Sequence, residues 1–285
     1  MTVREGVVHP DAPLLASAVA ARLLTRLLDV QSVRSPAHLV VTGGTIGTAV
    51  LAAVAASPLR HAIDWRGVHV WWGDERFLPD GDAERNETLA RRALLDPLGA
   101  ALPAANVHPI APRGAPGIGS PEDAAAAYAR ELALFAGPAG SADPAGTAGP
   151  AGTAGTAGPA STTGPAGTTG PAGPAAVPAF DVLLLGMGPD GHVASLFPGH
   201  PALAVAGVST IGGHGAPKPP AERVSLTFDA IRAAQEVWLV AAGAGKALAV
   251  AAALDGAPLD ERPATGAVGR QRTLWLLDAA AATPP

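Results

Sequence analysis

The stretch FDVLLLGMGPDGHVASLFPGH, Phe180 to His200, sets an unbroken apolar run against a loop that carries an acid, a histidine, a serine and four glycines. An apolar run this short, stopped by glycine and proline, reads as a strand buried on both faces, the kind found inside parallel sheets. The same signature recurs in AHLVVTGG from Ala37, GVHVWWGDER from Gly67, RVSLTF from Arg223, EVWLVAAG from Glu236 and TLWLLDA from Thr273. Between these runs lie segments with apolar residues at helical spacing. They are APLLASAVAARLLTRLLDVQ from Ala12, TIGTAVLAAVAAS from Thr45, NETLARRALLDPL from Asn86 with Asn86 as its capping residue, EDAAAAYARELALF from Glu122, DAIRAAQ from Asp229 and AGKALAVAAALDG from Ala244. Strand and helix in alternation predict an α/β fold, a doubly wound, mostly parallel sheet with helices on both faces. In such a fold the ligand sits where loops leave the carboxyl ends of the strands.

The 285 residues suffice for one large α/β domain. One tract breaks the pattern: Gly137 to Pro178 is almost entirely Gly, Pro, Ala, Ser and Thr. Glycine does not hold every third position, which excludes collagen, and side chains this small bury too little area to offset backbone ordering. We read it as a disordered insertion interrupting a single domain spanning 1–285, because segments bearing chemistry flank it on both sides. A net charge of −5 argues against a nucleic-acid surface. The absence of cysteine excludes disulfides and thiolate metal sites and fits a reducing cytoplasm. The first ten residues lack the pattern of a signal peptide, and no apolar run reaches spanning length, so neither export nor a membrane is expected. Oligomeric state is not encoded legibly, and a monomer is the default.

Four loops at predicted strand ends carry polar or glycine-rich signatures. In VVTGGTIGTA, Gly43 and Gly44 end a strand and Thr45 begins a helix, which makes either an anion site of exposed N–H groups or merely a tight turn. It matches neither the Walker nor the dinucleotide pattern, so neither ATP nor NAD is implied. In WWGDERFLPDGDAERN, Asp74, Glu75 and Arg76 cluster where the apolar run ends, with Asn86 closing the segment. A solvated loop is the plainer reading of that cluster. In the opening stretch Asp190, His192 and Ser195 lie together; the histidine can exchange a proton near neutrality, or can simply bond the loop. Ser195 lies outside a G-x-S-x-G elbow and reads as a binding or structural hydroxyl. In GAPKPPAERVSLTF, Lys218 and Arg223 precede a strand and would suit a phosphorylated ligand, although exposed cations are common.

Taken in order, GGT, WWGDERFLPDGDAERNETLARRALLDPL, FDVLLLGMGPDGHVASLFPGHPAL and KPPAERVSLTFDAIRAAQEVWLVAAGAGKA resemble the 6-phosphogluconolactonases, from about Leu39 to Lys246. The related glucosamine-6-phosphate deaminases share the glycine turn and the D-G-H element, but carry a glutamate five residues beyond that histidine. Here that place is Phe197, the lactonase form. The resemblance implies hydrolysis of a sugar-phosphate lactone, with no metal and no cofactor. It implies His192 as general base, Asp190 as its orienting partner, and Arg76 binding phosphate or steadying developing charge. Gly43, Gly44, Thr45, Lys218 and Arg223 become candidate phosphate ligands, with Asp74, Glu75 and Asn86 as further site candidates. Where the family turn usually has proline, this chain has Ile46, whose side chain cannot hydrogen-bond phosphate, so backbone N–H groups should carry more of that contact. A deaminase-like isomerase and a non-catalytic sugar-phosphate sensor are the alternatives.

Overall fold

The computed structural model describes residues 3–136 and 176–284. Except for its last three residues, the Gly137 to Pro178 tract lies outside them. Seven strands form one wholly parallel sheet: β1 (Val3–His9), β2 (Ala37–Val41), β3 (Val68–Trp72), β5 (Val107–His108), β6 (Val182–Gly186), β9 (Glu236–Ala241) and β10 (Arg272–Asp278). Their order across the sheet is β1-β10-β9-β6-β2-β3-β5. From β2 the chain steps outward to β3 and β5, then returns to β6 on the other side and proceeds to β9 and β10. Right-handed crossovers make that reversal change the face on which connections run, so the sheet is wound in both directions. All residues of β2 and β9 are buried, which is why Leu39 to Val41 and Val237 to Ala241 are consecutive apolar residues rather than alternating ones.

Helix α1 (Ala12–Val33) starts at Asp11, whose carboxylate accepts from Leu14 N at 2.8 Å. Leu15, Val19, Leu23, Leu27 and Val30 recur at helical spacing and are buried, while the opposite face is solvated. It packs against α2 (Gly44–Ala56) and carries the chain from the sheet edge at β1 to its centre at β2.

The run GVHVWWGDER, read as one strand, is two. It breaks at Gly73, after which β4 (Asp74–Arg76) leaves the parallel sheet and pairs antiparallel with β8 (Arg223–Leu226). Gly73 serves both sheets, with its N–H donating to Val41 O (3.1 Å) and its carbonyl accepting from Leu226 N (2.9 Å). RVSLTF therefore belongs not to the parallel sheet but to a three-stranded antiparallel one, β4-β8-β7, completed by β7 (Thr210–Gly213). Helix α5 (Pro121–Leu134), opened by a Ser120–Asp123 capping box, packs on β7 and β8. Before it, α3 (Asn86–Ala90) runs through a π turn at Arg91–Leu95 into α4 (Asp96–Leu98). After β8 come α6 (Phe228–Arg232), α7 (Ala247–Leu254) and a short terminal α8 (Ala279–Ala282).

Candidate active site

The sheet reverses direction between β2 and β6, and there the two strands share only the pairs Leu39↔Val182 and Val40↔Leu183 before their carboxyl ends part. Thr42 Oγ1 accepts from Gly186 N at 3.2 Å and bridges the gap. Above it opens a cleft of about 970 Å³. Its floor is the turn from Thr42 to Ile46. Gly43 caps α2 without any side-chain hydrogen bond, and Gly44 takes φ +77°, a conformation that costs glycine nothing. The first N–H groups of a thirteen-residue helix thus border the cleft. Ile46 is buried in the core and also lines the cleft. In this chain the residue at the proline position supplies packing.

The loop after β6 brings His192 into the cleft wall. Its Nδ1 lies 2.6 Å from Asp190 Oδ1, and Gly188 N donates to His192 O at 3.0 Å, closing the loop. Gly188 makes the pair possible: a Cβ there would lie 2.1 Å from His192 Nδ1 and 2.4 Å from Asp190 Oδ1. Burial would raise the Asp190 carboxyl, but the hydrogen bond and charge of His192 outweigh it and hold the carboxyl down at about 2. A carboxylate on Nδ1 favours the imidazole proton there and leaves the Nε2 lone pair free to accept a hydrogen bond or a proton. Phe197 is buried with its ring centroid 4.5 Å from that of the imidazole. Asp190 itself stands behind the histidine, outside the cleft lining.

Four cations line the cleft: Arg76, Lys218, Arg223 and Lys246. Arg76 and Arg223 are directly opposite across the β4–β8 pair, a placement that is destabilising unless negative charge faces it. Arg76 donates from Nη1 to Glu84 O. Arg223 is buried, and its Nε and Nη2 donate to the carbonyls of Pro220 (2.8 Å), Lys218 (3.1 Å) and Pro219 (3.2 Å). Its guanidinium therefore holds the loop that presents Lys218. Lys246 escaped the sequence reading because GAGKA was absorbed into a helix. It follows the loop Gly243–Gly245, which Asp278 shapes by accepting from Gly243 N at 3.0 Å through both oxygens. Burial lowers the Lys246 ammonium pKa, and the nearby Lys218 lowers it further. Two ammonium groups gathered at one cleft again mark a place for an anion. A lysine opening a helix after a strand-end glycine was the available signal.

Asp74 and Asn86 also line the cleft, but they are tied to each other and to Ser195. Ser195 Oγ donates to Asp74 Oδ2 at 2.7 Å, while Asn86 Nδ2 donates to Asp74 O (2.8 Å) and Oδ1 (3.2 Å). The serine hydroxyl is thus a structural donor. Asn86 is not the helix cap the sequence suggested, since it is already the first helical residue and its own side chain caps nothing. The cap comes from Glu75 across the turn: its Oε1 accepts from Asn86 N (2.7 Å) and Arg76 N (2.8 Å), and its Oε2 from Glu87 N (2.9 Å). Arg85 Nε stands 3.4 Å from the same carboxylate. Glu75 lies beneath the cleft rather than in it. Burial pushes its carboxyl up, against the pull of Arg85 and the three N–H groups.

A doubly wound sheet with a glycine turn, an Asp–His pair and converging cations at its reversal point defines an α/β enzyme acting on a small anionic molecule. The chain belongs to the family described as glucosamine-6-phosphate isomerases/6-phosphogluconolactonase, whose model matches residues 10–275. It is 51% identical over 277 residues to a 6-phosphogluconolactonase of Streptomyces coelicolor, covering 97% of this chain and 93% of that protein. A 6-phosphogluconolactonase of Mycobacterium tuberculosis is 40% identical, with 96% of each chain covered. Among solved structures, 6-phosphogluconolactonase from Trypanosoma brucei superposes with a TM-score of 0.75 at 26% identity, covering 99% of this chain and 98% of that one. A monomeric glucosamine-6-phosphate deaminase shares the fold alone, at 13% identity and a TM-score of 0.69.

Proposed function

We propose that the cleft binds 6-phospho-D-glucono-1,5-lactone and hydrolyses it to 6-phospho-D-gluconate, the reaction named by the curated relatives. The observation that carries the reading is the Asp190–His192 pair, 2.6 Å apart, presenting one imidazole nitrogen to a cleft lined by cations. His192 takes a proton from water as its oxygen attacks the lactone carbonyl. The resulting imidazolium returns the proton to the ring oxygen as the C1–O5 bond breaks, and the acid product then ionises. A δ-lactone is an activated ester, so a positioned base and shelter for the oxyanion suffice. Arg76 is the candidate for that shelter or for the phosphate. The α2 N-terminus at Gly43, Gly44 and Thr45, with Lys218 and Lys246, receives the phosphate, and Arg223 adds charge while bracing the Lys218 loop.

Phe197 supports lactone opening over deamination, because a buried phenyl ring occupies the place of the deaminase glutamate. Strands from after the Gly137 to Pro178 tract lie between strands from before it in one sheet, which supports a single domain over 1–285. Among the described residues no helix is long and apolar enough to cross a membrane. We take the enzyme to act in the cytoplasm as a monomer. The test supplies freshly made lactone and records acid release above spontaneous hydrolysis, with unphosphorylated gluconolactone and glucosamine 6-phosphate alongside. Ammonia release from the amino sugar, or no acceleration of lactone opening, would overturn the reading.

A further inference from the structure

Lys218 reaches the cleft from the connection between β7 and β8, a mostly exposed segment of residues 214–222 whose far half is braced by Arg223 through the carbonyls of Lys218, Pro219 and Pro220. Its base is held firmly. At Gly212 the β7 backbone presses on the first turn of α5, so that a Cβ would lie 2.5 Å from Glu122 N and 2.6 Å from Pro121 C, and only glycine fits. Two residues beyond, where the chain leaves the sheet, stands His214. Its Nε2 is 2.8 Å from Glu122 Oε1 on α5, and its Nδ1 is 3.7 Å from Glu222 Oε1 at the far end of the same segment. Glu222 is paired in turn with Arg113, and the His214 carbonyl lies 3.2 Å from His200 Nε2. Glu122, Glu222, Arg113 and His200 are thus the titratable or charged groups around it. Both ring nitrogens of His214 face carboxylates, and only the charged imidazolium attracts both at once, with a hydrogen bond to Glu122 and an ion pair to Glu222. Burial would raise the Glu122 carboxyl, yet its own helix N–H, His214 and Ser120 together hold it below the ordinary range.

We propose that charged His214 is a positioning residue for substrate phosphate, clamping the two ends of the 214–222 segment between Glu122 and Glu222 so that Lys218 is held at the cleft mouth. The inference rests on the reading of Lys218 as a phosphate contact. Deprotonation releases one arm of the clamp and loosens the lysine without touching the Asp190–His192 pair.

The test measures the dissociation constant of 6-phosphogluconate, a stable ligand, by titration calorimetry at pH 6 and pH 8.5, on either side of the range in which histidines change charge. Comparing wild type with His214→Gln at each pH cancels the titration of the ligand and of His192. At pH 6 the variant binds about two- to fivefold more weakly, the scale of an exposed ion pair, with kcat unchanged; at pH 8.5 the two proteins coincide. His214→Lys, charged at both pH values, keeps tight binding at pH 8.5. Equal affinities at pH 6, or a ratio that does not change with pH, overturn the proposal. Lys218→Ala run alongside separates the two readings: if it binds normally the phosphate role of Lys218 is wrong and the clamp falls with it. If Lys218→Ala binds weakly while His214→Gln does not, the clamp alone is wrong.

Discussion

At the scale of single residues, the proposed general base His192 gives the most direct prediction. A positioned general base contributes about 100- to 10,000-fold, so His192→Ala should lower turnover by that order while the protein folds and still binds 6-phosphogluconate. Asp190→Asn should lose less, since an amide can still bond the ring but does not enforce the proton on Nδ1. Because the Asp190 carboxyl is held at about 2, below its unfolded value, its stabilising contribution is complete above about pH 4 and is lost only as pH falls toward 2. A fall in rate between pH 8 and 5 in the wild type therefore cannot come from Asp190. A second histidine has the opposite character. His38 lies at the amino end of β2, where Nδ1 accepts from Trp71 Nε1 at 3.1 Å. Burial first, then the charges of His69, Arg34 and His108, lower it to about 3. Between pH 6.5 and 3 the unfolded chain binds a proton that the folded one refuses, so stability falls as acid is added. About 2 to 3 kcal/mol should be lost from this group between pH 7 and 4.5, measured by urea unfolding. His38→Asn keeps an acceptor for Trp71 but cannot titrate, and its profile over that window should be flatter; an unchanged slope would assign the acid sensitivity elsewhere.

At the scale of elements, the informative difference from the sequence reading is Glu75. In DER the acid looked like part of a site corner and Asn86 like a helix cap, because propensity rules see only neighbours along the chain. The strand break at Gly73 turns β4 back over the start of α3, and a carboxylate eleven residues upstream supplies the cap that no local side chain provides. Sequence patterns register composition and period, so β2, β6, β9, β10 and the long helices were legible, whereas β1, β5 and β7 were not. β5 has only two residues, and β7 ends in two glycines, of which Gly212 allows close contact with α5. The Asp190–His192 pair and the glycine turn were legible because they sit in short local motifs, whereas Arg76 read from its own residues as part of a solvated loop and was singled out only through the family resemblance. Lys246 was not legible, for its place in the cleft follows from strand order. Glu75→Ala should therefore act on stability before chemistry, leaving Arg85 and three N–H groups without their buried acceptor. A loss of about 3 to 5 kcal/mol in urea unfolding is expected, while Glu75→Gln, which can still accept, should lose less. A fully stable Glu75→Ala with reduced turnover would place the carboxylate in the reaction instead.

At the scale of the whole molecule, strand order explains why one cleft collects residues from Thr42 to Lys246. β2 and β6 are adjacent in the sheet yet lie on either side of the Gly137 to Pro178 tract. The chain is fixed close to the tract at both ends. Leu132 is buried on α5 before it; after it Phe180 is buried, Asp181 N donates to His38 O at 2.8 Å, and Gln235 N donates to Phe180 O at 2.8 Å. The register of β6 thus comes from β2 and β9, with nothing required of the tract beyond its length. Replacing residues 139–176 by a Gly/Ser linker about a quarter as long should then leave turnover unchanged. Loop-closure entropy favours the shorter form by about 0.6 kcal/mol per halving, so the midpoint of urea unfolding should rise by the equivalent of about 1 kcal/mol. A drop of several kcal/mol, or lost activity in a folded protein, would show that the tract packs on the domain or serves the cleft.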